Sequence, residues 1–224
     1  MIVAVHQPDF LPYLGFFRKM FQADTFVVYD TAQYSKNGYH NRNRIKSPNG
    51  SQWITVPIRR SGLRAMKDVD VDNSRKWPVA RLKTIEANYR NAPYFETYFD
   101  GLSEALTHHY DRLVELNMVL LRLVSGWLGI EKTIVRSSQL PEPSTTDPTE
   151  KLLHFTRACG GSVYLAGPGG RDYLKEDKFD AIRLEYSRFI PKPYPQLFGA
   201  FIPDLSVIDA VFNCGESAKQ LVES

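Results

Sequence analysis

The opening thirty residues constrain the fold more than any other part of the chain. A short apolar run at 2–5 gives way to the polar turn His6-Gln7-Pro8-Asp9. A helical pattern follows, and after Ala23-Asp24 a second apolar run occupies 25–30. Runs of this kind suit strands buried on both faces, and a helix between two of them is the crossover that parallel strands need. Apolar residues at 10, 11, 14, 17, 20 and 21 keep helical spacing over 10–21, with Asp9 placed to cap it and Pro12 tolerated in its first turn. The apolar centre of that second run is 26–29, and further strand-like runs lie at 53–58, 133–135, 163–166 and 182–186. The pattern predicts an α/β fold with a mostly parallel, Rossmann-like sheet.

The stretch from about 75 to 130 reads as a long helical insertion. One helix is predicted over 77–89, Asn91-Ala92-Pro93 interrupts it, and a second spans 102–128 with Gly129 at its end. A Pro/Ser/Thr-rich loop at 140–148 leads into another helix near Thr149. No linker or repeat divides the chain, so 1–224 is read as a single α/β domain.

Several function classes are disfavoured. No apolar run approaches the roughly 20 residues of a membrane span, and the N-terminus lacks a basic n-region and is broken by His6, Gln7 and Pro8. Cys159 and Cys214 are too few for a disulfide framework or a four-Cys zinc site. His108 and His109 are adjacent, so they do not form the i, i+4 metal pair of a helix. The expectation is a cytoplasmic protein without membrane insertion or metal. The net charge of +3 conceals an asymmetry, because 31–67 holds eight Lys/Arg and no Asp or Glu. Such a block suits phosphate, pyrophosphate or nucleic acid, although a solvated basic loop has the same composition.

Candidate chemistry gathers at the predicted strand ends. The carboxyl end of a strand beside a helix N-terminus is where α/β sheets bind ligands, anions especially. His6 and Gln7 fall there, with Asp30 and Gln33 at the end of the neighbouring strand. In the basic segment, alternation puts Arg42 and Arg44 on one face if extended, where guanidinium groups suit bidentate phosphate contacts. Asn41 and Asn43 can read hydroxyls or amides. Gly167, Gly169 and Gly170 follow a buried strand and either let backbone approach a ligand or form a tight turn; the Gly-Lys-Ser/Thr ending of a P-loop is missing. Ser137 also follows a strand end, and Asp209 and Asn213 are one helical turn apart.

The run His6-Gln7-Pro8-Asp9-Phe10-Leu11-Pro12-Tyr13-Leu14-Gly15 resembles the opening signature of the WbqC-like family. Asn41-Arg42-Asn43-Arg44-Ile45, Trp53-Ile54-Thr55-Val56-Pro57, Tyr89 with Ala92-Pro93-Tyr94-Phe95, Tyr164-Leu165-Ala166-Gly167 and Leu205-Ser206-Val207-Ile208-Asp209 continue the likeness in family order. Members of that family occur in bacterial gene clusters for O-antigen, lipopolysaccharide and other surface glycans, some with amino sugars carrying amino-acid amides. At fold level the chain also resembles HIGH-motif nucleotidylyltransferases and pantothenate synthetase. Here, however, Leu11-Pro12-Tyr13-Leu14-Gly15 stands where a second His would be, and no KMSKS-type loop is present.

The resemblance implies an amide-forming N-acyltransferase or ligase that delivers an acyl group, such as glycyl, to the amine of a nucleotide-linked amino sugar. In that scheme His6 is the general base and Asp30 positions the amine. Arg42 and Arg44 hold phosphate, while Gln7, Gln33, Asn41, Asn43, Ser137 and the three glycines line the substrate. The donor stays open between ATP plus an amino acid, acyl-CoA and aminoacyl-tRNA. Two rival readings are a non-catalytic sugar-nucleotide or glycan-binding assembly protein and a nucleic-acid-binding module. The nearly balanced overall charge weighs against the last.

Overall fold

A computed structural model describes residues 1–59, 62 and 64–223. Arg60, one of the eight cations of the basic segment, lies outside the described residues. The sheet strands are β1 (Ile2–His6), β2 (Thr25–Val28), β5 (Thr133–Arg136), β6 (Val163–Ala166) and β7 (Arg183–Tyr186). A hairpin comprises β3 (Arg42–Ser47) and β4 (Gly50–Thr55). The helices are α1 (Leu14–Gln22), α2 (Trp77–Tyr89), α3 (Phe95–Thr107), α4 (Leu113–Trp127), α5 (Pro148–Ala158), α6 (Val207–Cys214) and α7 (Ala218–Glu223).

The five sheet strands run in the order β5-β2-β1-β6-β7, every neighbouring pair parallel. This is the Rossmann-like α/β fold expected from the sequence. The chain builds outward from β1 in one direction through β2 and β5, then returns to its other side for β6 and β7. That reversal opens a crevice at the carboxyl ends of β1 and β6, the ligand position of such sheets.

Strand alternation explains the layers. Ala4 of β1 and Phe26 of β2 face a core shared with α1, α4 and α6, including Phe17, Leu116 and Val211. Val3, Val5 and Val27 face the other way, onto Leu152 and Phe155 of α5. Both faces are therefore covered, which is why these strands are apolar throughout. No helix among the described residues is long and apolar enough to cross a membrane.

Three expectations need correction. The run at 53–58 is not a strand of the parallel sheet: β4 pairs antiparallel with β3 in a separate hairpin. The second helix of the 75–130 stretch is divided, because Val69 and Asp70 bind the chain at 112–113. Leu113 N–H donates to Val69 O at 2.9 Å, and Asp70 forms a bridge with Arg112. Finally, α1 begins at Leu14 rather than Phe10, since Leu11 adopts a left-handed backbone with φ 43° and breaks the helical repeat. Asp9 accordingly caps no helix; its carboxylate lies 2.9 Å from His40 Nδ1.

The irregular segment before α1 is pinned in place. Its buried carbonyls lack a helical or sheet ladder and must find other donors. Asn117 Nδ2 donates to Pro8 O, Asn43 Nδ2 to Leu11 O at 2.7 Å, and Ser206 Oγ to Leu11 O at 2.8 Å. Val207 N–H takes Pro12 O. Side chains distant in sequence thus hold the turn that presents His6 and Gln7.

Candidate active site

A cleft of about 490 Å³ lies at the carboxyl ends of β1 and β6. His6 and Gln7 come from β1, Gly167 to Gly170 from the turn after β6, and Tyr13 and Lys19 from the start and middle of α1. Tyr29, Tyr173 and Leu152 complete the walls. Gly15 shapes this end of α1: a Cβ there would collide with the Tyr13 ring and come within 2.8 Å of Phe189.

His6 is half-buried, and its Nδ1 lies 3.0 Å from Gln7 O. A carbonyl only accepts, so Nδ1 carries the proton and Nε2 keeps its lone pair. Burial lowers the imidazole pKa below 6.5, and the nearby Lys19 charge lowers it further. Phe16 holds the ring edge-on at 4.7 Å between centroids.

Lys19 is the group that sequence reasoning misses. It is only 4% exposed, and its Nζ donates to Val5 O at 2.8 Å. No carboxylate among the described residues pairs with it. Burial alone brings its pKa down to about 7. An amine that changes charge near neutrality beside a neutral imidazole is equipped for proton transfer or for stabilising an oxyanion. The available signal is slight: Lys19 is a cation within the largely apolar Leu14-Gly15-Phe16-Phe17-Arg18-Lys19-Met20-Phe21.

A second recess of about 440 Å³ opens beside the first at the ends of β2 and β5, and Tyr29 borders both. Ser137, Ser138, Lys67, Lys151 and the 142–146 loop line it. Asp30 stands behind this wall, fully buried. Its Oδ1 accepts from Ser137 Oγ and Ser138 N–H, both at 2.9 Å; its Oδ2 accepts from Arg136 Nε at 2.7 Å and Ser138 Oγ at 2.6 Å. Burial would raise its pKa, but the Ser138, Arg136 and Ser137 bonds together hold it below 3.8. With four acceptor positions filled, Asp30 has none left for a substrate amine. It is a positioning residue for Ser137 and Ser138, which corrects the catalytic role expected of it.

The other expected ligands divide. His6, Gln7, Gly167, Gly169 and Gly170 converge on the first cleft, and Ser137 lines the second. Gly170 is required by packing, since a Cβ would meet Leu174 at 2.9 Å and Ala166 at 3.1 Å; one on Gly169 would meet nothing. Gln33 contributes its backbone carbonyl, 3.5 Å from Gln7 Nε2, while its side chain is exposed. Asn41, Arg42, Asn43 and Arg44 line neither cleft. Both Asn amides are occupied internally, Asn41 with Val56 O and Tyr34 Oη, Asn43 with Phe10 O and Leu11 O. Arg42 donates to Asn37 O and Gly38 O and lies 4.3 Å over the exposed Trp53 ring. The Arg44 guanidinium has no partner among the described residues. Among the described residues no group of three or more His, Cys, Asp or Glu is arranged to hold a metal ion.

The family model for WbqC-like proteins matches residues 7–221. The chain belongs to the WbqC-like protein family. It is 32% identical over 222 residues to the uncharacterized protein Rv1507c of Mycobacterium tuberculosis (strain ATCC 25618 / H37Rv), covering 96% of this chain and 95% of that one. No solved structure gives a significant match.

The segments that carry the WbqC-like resemblance meet one another in space. The opening turn is bound by Asn43 from the Asn-Arg-Asn-Arg segment and by Ser206 from the Leu-Ser-Val-Ile-Asp segment. Asp209, fully buried, accepts from Tyr89 Oη at 2.7 Å and Tyr194 Oη at 2.8 Å, and Tyr89 Oη in turn accepts Lys46 N–H. Burial raises the Asp209 pKa against the pull of those hydroxyls. Asn213, the other residue paired with it by helical spacing, donates to Asp209 O. In this WbqC-like chain these segments form a scaffold, and the cleft is what the scaffold presents.

Proposed function

We propose that the protein is an enzyme of bacterial surface-glycan biosynthesis that transfers an acyl group, glycyl or another aminoacyl group, to the amine of a nucleotide-linked amino sugar. One observation carries the reading: His6 and the buried Lys19, which has no carboxylate partner among the described residues, share a cleft at the point where the strand order reverses. The substrate amine attacks the acyl carbonyl carbon, and His6 Nε2 takes the proton the nitrogen loses as the C–N bond forms. Lys19, as ammonium, faces the oxyanion of the tetrahedral intermediate. The leaving group departs with the electron pair of its bond to carbon, and His6 returns the proton to it. Tyr13, Tyr29 and Tyr173 supply apolar walls for the sugar. Family context supplies the amino sugar, and the donor is acyl-CoA, which expels CoA thiolate, aminoacyl-tRNA, which expels the tRNA hydroxyl, or an amino acid that ATP has first converted to an acyl phosphate or acyl-adenylate, which expels phosphate or AMP.

The test pairs UDP-, dTDP- and GDP-linked amino sugars with each donor and looks for the amide product by mass spectrometry. His6→Ala is expected to lower turnover by about 10² to 10⁴ while substrate affinity holds, because a general base acts mainly in the transition state. Normal turnover by His6→Ala removes the assigned base.

A second reading, a non-catalytic sugar-binding protein, is favoured by the exposed Tyr39 and Trp53 rings, 5.7 Å apart with Arg42 over Trp53. Saturable sugar-nucleotide binding with no amide product from any pairing selects it.

A further inference from the structure

The recess at the ends of β2 and β5 is not used by the chemistry assigned to His6 and Lys19, yet it adjoins their cleft across a single side chain, Tyr29. Most of its lining residues are polar, and its charge is uneven. Lys67 and Lys151 contribute two cations, neither paired with a carboxylate among the described residues, against the one carboxylate of Glu142.

The hydroxyls differ in what they can offer. Ser137 and Ser138 both donate their protons to Asp30; the Ser137 oxygen is then taken by the Thr31 N–H and hydroxyl, while the Ser138 oxygen is left as an acceptor. Thr145 is the reverse: its Oγ1 accepts Asp147 N–H at 3.1 Å and keeps its own proton to donate. The recess thus offers donors, from Lys67, Lys151 and Thr145, together with an acceptor, the Ser138 hydroxyl oxygen. Phosphate oxygens need the first and carbohydrate hydroxyls suit the second.

The wall is also built to stay in place. Asp30 fixes Ser137 and Ser138 through its carboxylate, and its backbone carbonyl accepts Lys67 N–H at 2.8 Å. One buried residue therefore sets the positions of both the acceptor and a cation-bearing backbone.

We propose that this recess binds the phosphate or diphosphate of the substrate, with Lys67 and Lys151 as its cationic ligands, leaving the reacting end to cross Tyr29 into the His6–Lys19 cleft. The proposal deepens the acyl-transfer reading, on which its orientation of the substrate rests. It moves the phosphate site from Arg42 and Arg44, which line neither cavity, to two lysines that line this one.

Titration calorimetry on the whole chain tests it, first with inorganic pyrophosphate, then with UDP, GDP and dTDP against ADP and coenzyme A, and with uridine as the phosphate-free control. Pyrophosphate and at least one nucleotide should bind, uridine should bind at least tenfold more weakly than UDP, and Lys67→Gln and Lys151→Gln should each weaken the phosphate ligands about tenfold. Tighter binding of UDP, GDP or dTDP assigns the recess to the sugar-nucleotide acceptor, and tighter binding of ADP or coenzyme A assigns it to the donor; either supports a phosphate site. Circular dichroism confirms that the two glutamine variants are folded. The proposal is overturned if pyrophosphate does not bind, if both glutamine variants bind it like wild type, or if only Arg42→Ala and Arg44→Ala weaken it. Amide formation can fail while pyrophosphate binding stays sensitive to Lys67 and Lys151, which sinks the acyl-transfer reading and leaves the phosphate recess standing.

Discussion

Replacing Lys19 with Met keeps a side chain of similar reach and removes the amine, and the structure sets the size of the response. The pKa of Lys19 falls from 10.5 in the unfolded chain to about 7 in the fold, through burial. Between those values the unfolded chain holds a proton that the native protein has released. Native stability therefore rises with pH across the window from about 7 to 10.5. At about 1.36 kcal/mol per pH unit the whole difference approaches 5 kcal/mol, of which about 3 to 4 kcal/mol is realised between pH 7 and pH 10. Lys19→Met carries no such group. Its unfolding free energy should climb less than that of wild type by this amount, and at pH 7 and below it should gain because no buried ammonium remains to be desolvated. With 1 kcal/mol shifting Tm by about 2 to 4 °C at this chain length, the gap between the two proteins should change by about 6 to 16 °C over the window. Urea unfolding of both at constant ionic strength, at unit steps from pH 7 to pH 10, measures it directly. Parallel curves would show that the amine titrates at an ordinary value, and Lys19 would lose its place in the chemistry.

The same groups set a pH profile for amide formation. The proposed acyl transfer needs His6 neutral and Lys19 charged, so its kcat/KM should rise through a pKa below 6.5 and fall above about 7, a narrow bell; a flat rate through pH 8 contradicts the pairing. Asn43→Ala strips the buried Phe10 and Leu11 carbonyls of a shared donor and should destabilise by about 2 to 4 kcal/mol in chemical denaturation, whereas a surface residue there would cost under about 0.5 kcal/mol.

The centre of the sheet was legible because β1, β2 and β6 are buried on both faces and therefore largely apolar, whereas the edge strands β5 and β7 carry Thr, Arg and Glu and are only partly buried. The hairpin was not: β3 reads Arg-Asn-Arg-Ile-Lys-Ser, a polar sequence whose extended form depends on pairing with β4. Nor could the start of α1 be read, because the left-handed residue is a leucine, a bulky type uncommon there. Position at a strand end was enough to bring His6, Gln7 and the glycine turn to one cleft. Asn41 and Asn43 misled for a physical reason. An irregular buried backbone needs donors and acceptors from somewhere, and these amides satisfy it before any ligand can. Lys19 escaped because a lysine on a helix ordinarily reaches water, and only the packing of α1 against β1 denies it that.

The pins on the opening turn also impose a timetable on the newborn chain. His6 leaves the ribosome near the beginning of synthesis, but the side chains that secure its turn are Asn43, Asn117 and Ser206. At about 5 to 20 residues per second, roughly 10 to 40 s separate the making of His6 from that of Ser206. Through that interval β1 also waits for β6, which forms the far wall of the cleft. A nascent chain halted before Ser206 therefore holds His6 and Lys19 without one of the pins that fix the turn before α1, so the cleft is completed in a late step of synthesis rather than growing with length.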